Sequence, residues 1–85
     1  MSYSIIVPKS VQKQLDKLPE SVYQRVLKKI RLLAEEPRPG GALKLKGMEA
    51  EYRIRIGDYR LRYKIDDENQ VVILGRCQHR KSVYD

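Results

Sequence analysis

The stretch YRIRIGDYRLRYKI, from Tyr52 to Ile65, alternates apolar and basic residues on both sides of a Gly-Asp pair. Strict alternation is typical of a half-buried strand, and two alternating runs separated by Gly-X form a hairpin with a tight turn. We therefore predict a β-hairpin whose loop is Gly57 and Asp58. The predicted register places Ile56 opposite Tyr59, Arg55 opposite Arg60, Ile54 opposite Leu61, Arg53 opposite Arg62, Tyr52 opposite Tyr63 and Glu51 opposite Lys64.

This hairpin should have one apolar face, which packs on the core, and one basic face. On the basic face Arg53 lies opposite Arg62, and Arg55 lies opposite Arg60. Like charges that face each other across a ladder destabilise it, by about 1 kcal/mol for a close pair in water. A sequence selected for folding alone would alternate the signs of these charges, so we interpret the basic face as a surface that binds an anion.

The charge of the whole chain supports this interpretation. Its 85 residues carry a formal net charge of +7, from 18 Lys and Arg against 11 Asp and Glu. A basic domain of this size favours a polyanionic partner, which could be nucleic acid, an anionic membrane surface or an acidic protein. A solvated basic surface without a partner is the alternative. The length predicts one domain, spanning residues 1–85, with a single modest core.

Several functional classes are disfavoured by what the sequence lacks. We see no signal peptide and no apolar run of membrane-spanning length, which predicts a cytoplasmic protein without a membrane partner. Cys77 is a lone cysteine, so neither an internal disulfide nor a cysteine-based zinc site is expected. Asp66 and Asp67 lie in a predicted turn, which is poor geometry for a metal pair. We therefore predict no metal ion and no cofactor.

The order of predicted elements indicates an α+β fold with the sequence β-α-α-β-β-β, or with a fourth strand after the helices if the short segment 43–45 is counted. Tyr3–Val7 reads as a strand, and two helices follow, separated at Pro19 and ending near Glu36 because prolines and glycines come next. Basic residues occupy the outer face of the second helix: Arg25, Lys28, Lys29 and Arg31. Short strands are predicted at 43–45 and 71–74, the latter covered on both sides, and a polar tail closes the chain. The two helices should form a hairpin on one face of a mostly antiparallel sheet.

Arginines on a sheet beside a tail with His79 and Tyr84 suit one reaction particularly well. RNA carries its own nucleophile, the 2′-hydroxyl, so cleavage needs only proton transfers and stabilisation of negative charge on the phosphate. Fixed guanidinium groups supply the stabilisation. A histidine or tyrosine can move the protons, and nearby cations lower the pKa of a tyrosine. His79 in a polar tail could equally be a surface residue, and Tyr84 could be an apolar plug of the core.

Three motifs together resemble one known family. LKLKGM (Leu43 to Met48), YRIRIGDYRLRYKI and the terminal HRKSVYD, in this order, are similar to the RelE toxins of the RelE/ParE superfamily. The resemblance covers nearly the whole chain and implies a microbial-RNase-like fold. It also implies the toxin half of a type II toxin–antitoxin pair, which enters the A site of the 30S ribosomal subunit, cleaves mRNA there without metal and so inhibits translation. The implied partners are a RelB-like antitoxin with an acidic segment, bound in a hetero-oligomer, and the ribosome with its mRNA.

The resemblance also implies which residues act. Matched motif by motif, the catalytic residues are Arg53, Arg55, Arg60, Arg80 and Tyr84, and Gln78 or His79 could replace Arg80. Some relatives carry lysine where this chain has Arg53 and Arg55, and arginine effectively cannot lose its proton. Tyr84 is therefore the expected base, with His79 or Arg80 on the acid side. The neighbouring basic residues are expected to bind RNA: Lys44, Lys46, Arg62, Lys64 and Lys81.

Two other functions remain open on the sequence. ParE-type members of the superfamily share the fold but inhibit DNA gyrase, which would make the chain a protein-binding inhibitor. A simple RNA-binding module that never cleaves is a third possibility. The basic hairpin and the terminal tyrosine favour the nuclease over both.

Overall fold

In the computed structural model, which describes residues 2–47 and 50–83 (at 82 and 83 the backbone only), strands and helices follow the order β-α-α-β-β-β-β-α. The elements are β1 (Ser4–Ile6), α1 (Lys9–Asp16), α2 (Glu20–Glu35), β2 (Leu43–Lys44), β3 (Glu51–Ile56), β4 (Tyr59–Asp66), β5 (Val71–His79) and α3 (Arg80–Val83). The five described strands form one sheet in the order β1-β5-β4-β3-β2. Strand β1 is parallel to β5, and the other pairs are antiparallel. The predicted α+β architecture is thereby confirmed.

Prolines flank the two longer helices, α1 and α2, as the sequence predicts. Pro8 and Pro19 precede α1 and α2 with φ values of −60° and −56°, which suit a helix start. Helix α2 ends at Glu35, one residue short of the prediction, because Pro37 follows closely. Both helices bury an apolar stripe: Val11 and Leu15 from α1, and Val26, Ile30 and Leu33 from α2.

These stripes pack against one face of the sheet to form the core. The sheet contributes Ile54, Ile56, Leu61, Tyr63, Ile65, Val72, Leu74 and Cys77. Burial raises the pKa of Tyr63 to about 12, and its hydroxyl donates a hydrogen bond to the carbonyl of Pro37 at 2.8 Å. Burial also raises the pKa of the Cys77 thiol to about 11. The Cys77 N–H donates to the side-chain oxygen of Gln14, which ties α1 to β5.

The β3–β4 hairpin has the register that alternation predicts, at all six pairs from Glu51–Lys64 to Ile56–Tyr59. Its loop contains Gly57 at φ +59°, in the left-handed region that glycine occupies at low cost. A Cβ at this position would lie 3.0 Å from the guanidinium of Arg25 on α2. Glycine therefore serves both the turn and the close approach of the helix.

Strand β5 is longer than the predicted strand at 71–74, and it includes residues that we expected in a polar tail. Arg62 of β4 pairs with Arg76, while Tyr63 pairs with Leu74, so Gly75 is an extra residue in a β-bulge. The bulge places both Leu74 and Cys77 on the core face although they are three positions apart. This spacing hides the alternation of β5 in the sequence, which is why the strand was predicted too short. Its predicted burial on both sides is only partial, because Val71 and Ile73 remain half-buried.

The first strand is shorter than predicted. It contains Ser4–Ile6 and not Tyr3–Val7, and Val7 is 37% exposed. Strand β1 lies at the edge of the sheet, and the chain leaves it at Val7 to reach Pro8 and α1. The second strand is also one residue shorter than the predicted 43–45.

Candidate nucleic-acid interface

The sheet presents a row of arginines on the face opposite the helices. We call this surface the arginine face and define it by Arg53, Arg55, Arg60, Arg62 and Arg76. Alternation along β3 and β4 places the first four there, since the residues between them are in the core. Arg76 joins them because the bulge pairs it with Arg62. The four arginines that the sequence predicted to share a face therefore do so, and Arg76 is an addition that the hidden bulge kept out of the prediction.

Arg60 is the most buried of these side chains. It lies on the central strand β4, between Arg55 of β3 and Gln78 of β5, and only 5% of it is exposed. Its Nε and Nη1 atoms are buried and have no hydrogen-bond partner among the described residues. A buried charge without a partner is strongly destabilising. The fold therefore holds a guanidinium with two free donors, an arrangement that a bound anion would satisfy.

The other members of the arginine face differ in exposure. Arg55 is exposed, whereas Arg53 and Arg62 are half-buried. A cavity of about 230 Å³ lies between Glu51, Arg62, Gly75 and Arg76, on the same face. The exposed Leu43 pairs with Arg53 and so shares this face as well.

The C-terminal helix α3 is attached to the tip of the hairpin. The N–H of Arg80 donates to the carbonyl of Asp58 at 2.7 Å, and its Nε lies 3.8 Å from the Asp58 carboxylate. Both side chains are largely exposed. This contact holds Arg80 at the end of the sheet where Arg55 and Arg60 lie.

His79 lies on the opposite face from the arginines. It pairs with Tyr59 in the register of β4 and β5, and the two rings meet edge to face with centroids 5.1 Å apart. Its Nδ1 accepts a hydrogen bond from the N–H of Lys81 at 3.2 Å, so the ring caps the first turn of α3. The structure thus places His79 and Arg60 on opposite faces of the sheet. Of the two residues that could replace Arg80, Gln78 and His79, only Gln78 lies on the arginine face.

The predicted RNA-binding lysines are not all on this face. Lys44 pairs with Tyr52 and therefore points to the side of the sheet that carries the helices. Lys64 is exposed on the arginine face, and Lys46 and Lys81 are exposed in the turn after β2 and in α3. Tyr84, the predicted base, and Met48 of the first motif lie outside the described residues.

Two kinds of feature are absent from the described residues, 2–47 and 50–83. No group of three or more His, Cys, Asp and Glu side chains is placed to hold a metal ion. No helix in this part of the chain is both long enough and apolar enough to cross a membrane.

Comparison with known proteins identifies a toxin of a type II toxin–antitoxin system. The sequence model of the family described as the ParE toxin of the type II toxin–antitoxin system parDE matches residues 5–84. Among named relatives, toxin RelG of Mycobacterium tuberculosis is 31% identical over 99% of this chain and 98% of its own. Toxin RelE3 of Methanocaldococcus jannaschii is 32% identical over 95% and 94%. The chain therefore belongs to the RelE family within the RelE/ParE toxins, as its three motifs predicted.

Solved structures agree with this assignment. RelE in the archaeal RelE–RelB complex from Pyrococcus horikoshii OT3 superposes with a TM-score of 0.85 at 33% identity, covering 94% of this chain and 97% of that one. The isolated RelE toxin of E. coli superposes with a TM-score of 0.82 at 27% identity, covering 98% and 97%. The chain is thus similar to these toxins over almost its full length.

Proposed function

We propose that this toxin is an endoribonuclease that cleaves mRNA in the A site of the ribosome and so inhibits translation. The observation that carries the proposal is Arg60, a 5% exposed guanidinium whose Nε and Nη1 have no partner among the described residues. A guanidinium with unsatisfied donors binds a phosphate through charge-assisted hydrogen bonds. Arg53 and Arg55, on the neighbouring strand, add positive charge where the phosphate would lie.

The chemistry follows from the residue types. The 2′-oxygen of the RNA attacks the adjacent phosphorus, the bond from phosphorus to the 5′-oxygen breaks, and a 2′,3′-cyclic phosphate results. The proton of the 2′-hydroxyl goes to a base, and the 5′-oxygen receives one. Guanidinium groups that are already in place stabilise the extra charge of the transition state without rearranging. This removes the need for a metal ion in the proposed step, because Arg60 and its neighbours supply the stabilising charge.

The proton transfers are assigned to the C-terminal segment. Tyr84 is the proposed base, since arginine as a residue type does not serve as a base in proteins. Arg80 donates a hydrogen bond to the leaving 5′-oxygen, from its position at the hairpin tip beside Asp58, and water supplies the proton that this oxygen takes up. His79 lies on the face opposite the arginines and caps α3. Its proposed role is therefore to hold Arg80 in position.

The proposed partners are a RelB-like antitoxin, the 30S A site and mRNA. The relatives from P. horikoshii and E. coli were solved in complexes of RelE with RelB, which supports a hetero-oligomer with an antitoxin. We propose that this complex forms in the cytoplasm. We propose that an acidic antitoxin segment covers the arginine face or displaces α3. The excess of positive charge makes such an association fast and sensitive to salt.

The second candidate is gyrase inhibition, because the matching family is described as the ParE toxin. Toeprinting on translating ribosomes and a gyrase supercoiling assay separate the two functions. We expect cleavage within the A-site codon and no effect on supercoiling. Inhibited supercoiling together with intact mRNA would assign the chain to the ParE function, and RNA binding without cleavage would make it a binding module.

The role of Arg60 is tested in the same ribosome assay. Arg60→Ala removes a phosphate contact and transition-state charge, so both ribosome affinity and the cleavage rate should fall, the rate by at least 100-fold. Lys13→Ala, on the exposed face of α1, removes the same charge elsewhere and should cleave like the wild type. Equal rates for Arg60→Ala and Lys13→Ala would contradict the proposal.

A further inference from the structure

A second concentration of positive charge lies on α2, away from the centre of the arginine face. A groove of about 780 Å³ runs between α2 and the edge of β3 at the hairpin tip. We call it the basic groove and define it by six of its lining residues: Arg25, Lys28, Lys29, Arg31, Leu32 and Arg55. None of the described residues that line it is acidic.

The cations of the basic groove are uncompensated. In the part of the chain that the structure describes, none of its five basic side chains makes a side-chain hydrogen bond or an ion pair. Arg25, Lys28 and Lys29 follow one another at helical spacing on the same side of α2, so their charges repel. Arg25 is moreover brought onto the hairpin tip, where its guanidinium lies against Gly57. As on the arginine face, folding alone would favour acids among these bases.

The backbone of β3 adds polar groups to the same groove. Strand β2 pairs only with Tyr52 and Arg53, so β3 has an open edge beyond them. The carbonyl of Glu51 accepts a hydrogen bond from Leu45 on the β2 side, while that of Ala50 accepts one from Ile65 on the β4 side. Because these directions alternate, the N–H of Arg55 points to the open edge. It adds a backbone donor beside the charged side chains.

We propose that the basic groove binds the sugar-phosphate backbone of RNA, at phosphates other than the one that is cleaved. Arg55 lines the groove and also belongs to the arginine face, so the two basic surfaces are continuous. An RNA chain whose phosphate lies at Arg60 can therefore extend past Arg55 onto α2. Phosphate contacts of this kind position a nucleic acid without reading its sequence. The proposal extends the proposed nuclease function but needs only RNA binding.

RNA fits these observations better than an acidic protein segment does. A protein segment is usually anchored by several apolar side chains, whereas among the described residues that line the groove Leu32, 37% exposed, is the one exposed apolar side chain and Ile56 is buried. A polymer that carries one charge at every unit can meet several of these cations at once. The acidic segment is accordingly the alternative outcome of the test.

The test uses the full chain and a 2′-O-methylated single-stranded RNA oligonucleotide, which cannot be cleaved. Its affinity is measured by fluorescence anisotropy over a series of salt concentrations, for the wild type and for Arg25→Gln/Lys28→Gln/Lys29→Gln. Each lost phosphate contact flattens the log–log salt dependence by about 0.7. Three lost contacts flatten it by about 2 and weaken binding about 100-fold at 0.1 M salt.

The matched control is Lys9→Gln/Lys13→Gln/Lys17→Gln, which removes three charges from around α1. The double variant Lys28→Gln/Lys29→Gln leaves the contact of Arg25 with Gly57 intact and should show about two-thirds of the change in slope. We call the variant of Arg25, Lys28 and Lys29 the groove triple and the variant of Lys9, Lys13 and Lys17 the α1 triple. Equal losses of RNA affinity in these two variants would overturn the proposal. So would a groove triple that binds RNA normally but no longer binds an acidic peptide.

The two proposals can fail separately. If the wild type does not cleave mRNA on ribosomes while its RNA affinity depends on the groove, the nuclease function fails and the groove site stands. If the wild type cleaves mRNA and the two triples bind RNA equally well, the groove site fails and the nuclease function stands.

Discussion

At the scale of single residues, the arginine pairs bring a conflict between folding and function. Arg55 lies directly opposite Arg60, and Arg53 directly opposite Arg62, in a sheet whose other face is a regular apolar core. Burial of Arg60 without a partner among the described residues deepens the conflict. Strained or unsatisfied groups that persist in a fold are most often found where a ligand binds.

This conflict predicts the effect of reversing one charge. Arg55→Glu would face Arg60 with an opposite charge, so we expect the free energy of unfolding to stay the same or rise by about 0.2–1 kcal/mol. Toxicity in a growth assay should be lost, because the phosphate would meet a carboxylate. Urea denaturation measures the first effect, with Lys13→Glu on α1 as the control for a reversed surface charge. A less stable variant that remains toxic would show that the arginine face is structural.

A second prediction at this scale concerns His79. Because its Nδ1 accepts the N–H of Lys81, we expect His79→Ala to loosen α3 and to slow mRNA cleavage through Arg80. Asparagine caps helices well, so His79→Asn should recover most of the rate. Single-turnover cleavage on ribosomes compares the two variants. If both are equally slow, the histidine transfers a proton directly, and our positioning role for it is wrong.

At the scale of elements, the bulge in β5 decides which side chains reach which face. Gly75 is the extra residue, and it shifts the alternation so that Arg76 and Gln78 lie on the arginine face while Cys77 is buried. If Gly75 instead took a regular place in the ladder opposite Arg62, Arg76 and Gln78 would point toward the helices. The same shift carries His79 to the side of Tyr59.

The bulge can be tested by removing its residue. Deletion of Gly75 would leave Leu74 opposite Tyr63 and Arg76 opposite Arg62, now in regular alternation, so the side chains of β5 keep their faces. We therefore expect the deletion variant to fold, with only the local bend and twist of the bulge lost. Gly75→Ala keeps the bulge and is the control, because the nearest atom to its Cβ would be the carbonyl oxygen of Arg62 at 3.4 Å, an ordinary contact. Thermal melting followed by circular dichroism compares the two variants. A deletion variant that fails to fold while Gly75→Ala melts normally would show that the bend of the bulge is itself required.

At the scale of the whole molecule, a polar cluster joins four distant segments at the end of the sheet opposite the hairpin tip. Arg38 donates to both carboxylate oxygens of Asp67, at 3.2 and 2.7 Å, and to the hydroxyl of Tyr52 at 2.9 Å. The hydroxyl of Tyr3 donates to Asp67 at 2.7 Å. The cluster therefore connects the start of the chain, the loop after α2, β3 and the β4–β5 turn.

This cluster predicts how stability depends on pH. The hydrogen bond from Arg38, and then that from Tyr3, holds the pKa of Asp67 below its ordinary value. The contribution of Asp67 is therefore fully present above the pKa of the unfolded chain, about 3.9. It is lost as the pH falls through the lower pKa of the native state.

We expect Asp67→Asn to lose less stability than the wild type between pH 6 and pH 3, as measured by urea denaturation at both values. Some dependence should remain, because the pKa of Asp66 is also lowered, chiefly by the side chain of Asn69. Glu68→Gln, in the same turn, is the control for a lost surface charge. Identical pH profiles for the wild type and Asp67→Asn would show that the cluster does not stabilise the native state.

Local chemistry was enough to predict the hairpin register, the two helices with their proline boundaries and the shared face of four arginines. Alternation, helical spacing and turn residues act between neighbours in the chain, so they can be read without knowing the fold. The family also follows from short motifs, since Lys-Gly-Met, Gly-Asp-Tyr-Arg-Leu and the terminal segment keep their order. The placement of Tyr84 in the site remains a prediction of that resemblance.

Other features depended on contacts between distant segments. The bulge at Gly75 arises because β5 must match β4 while burying both Leu74 and Cys77, and this pairing moved His79 away from the arginines. Arg60 is buried because β4 is a central strand, flanked by β3 and β5. The basic groove exists only where α2 meets the open edge of β3, beyond the short β2. The burial of a side chain, the face of the sheet on which it lies and the open edge of a strand all depend on how distant elements pack together. A local sequence pattern therefore cannot predict them.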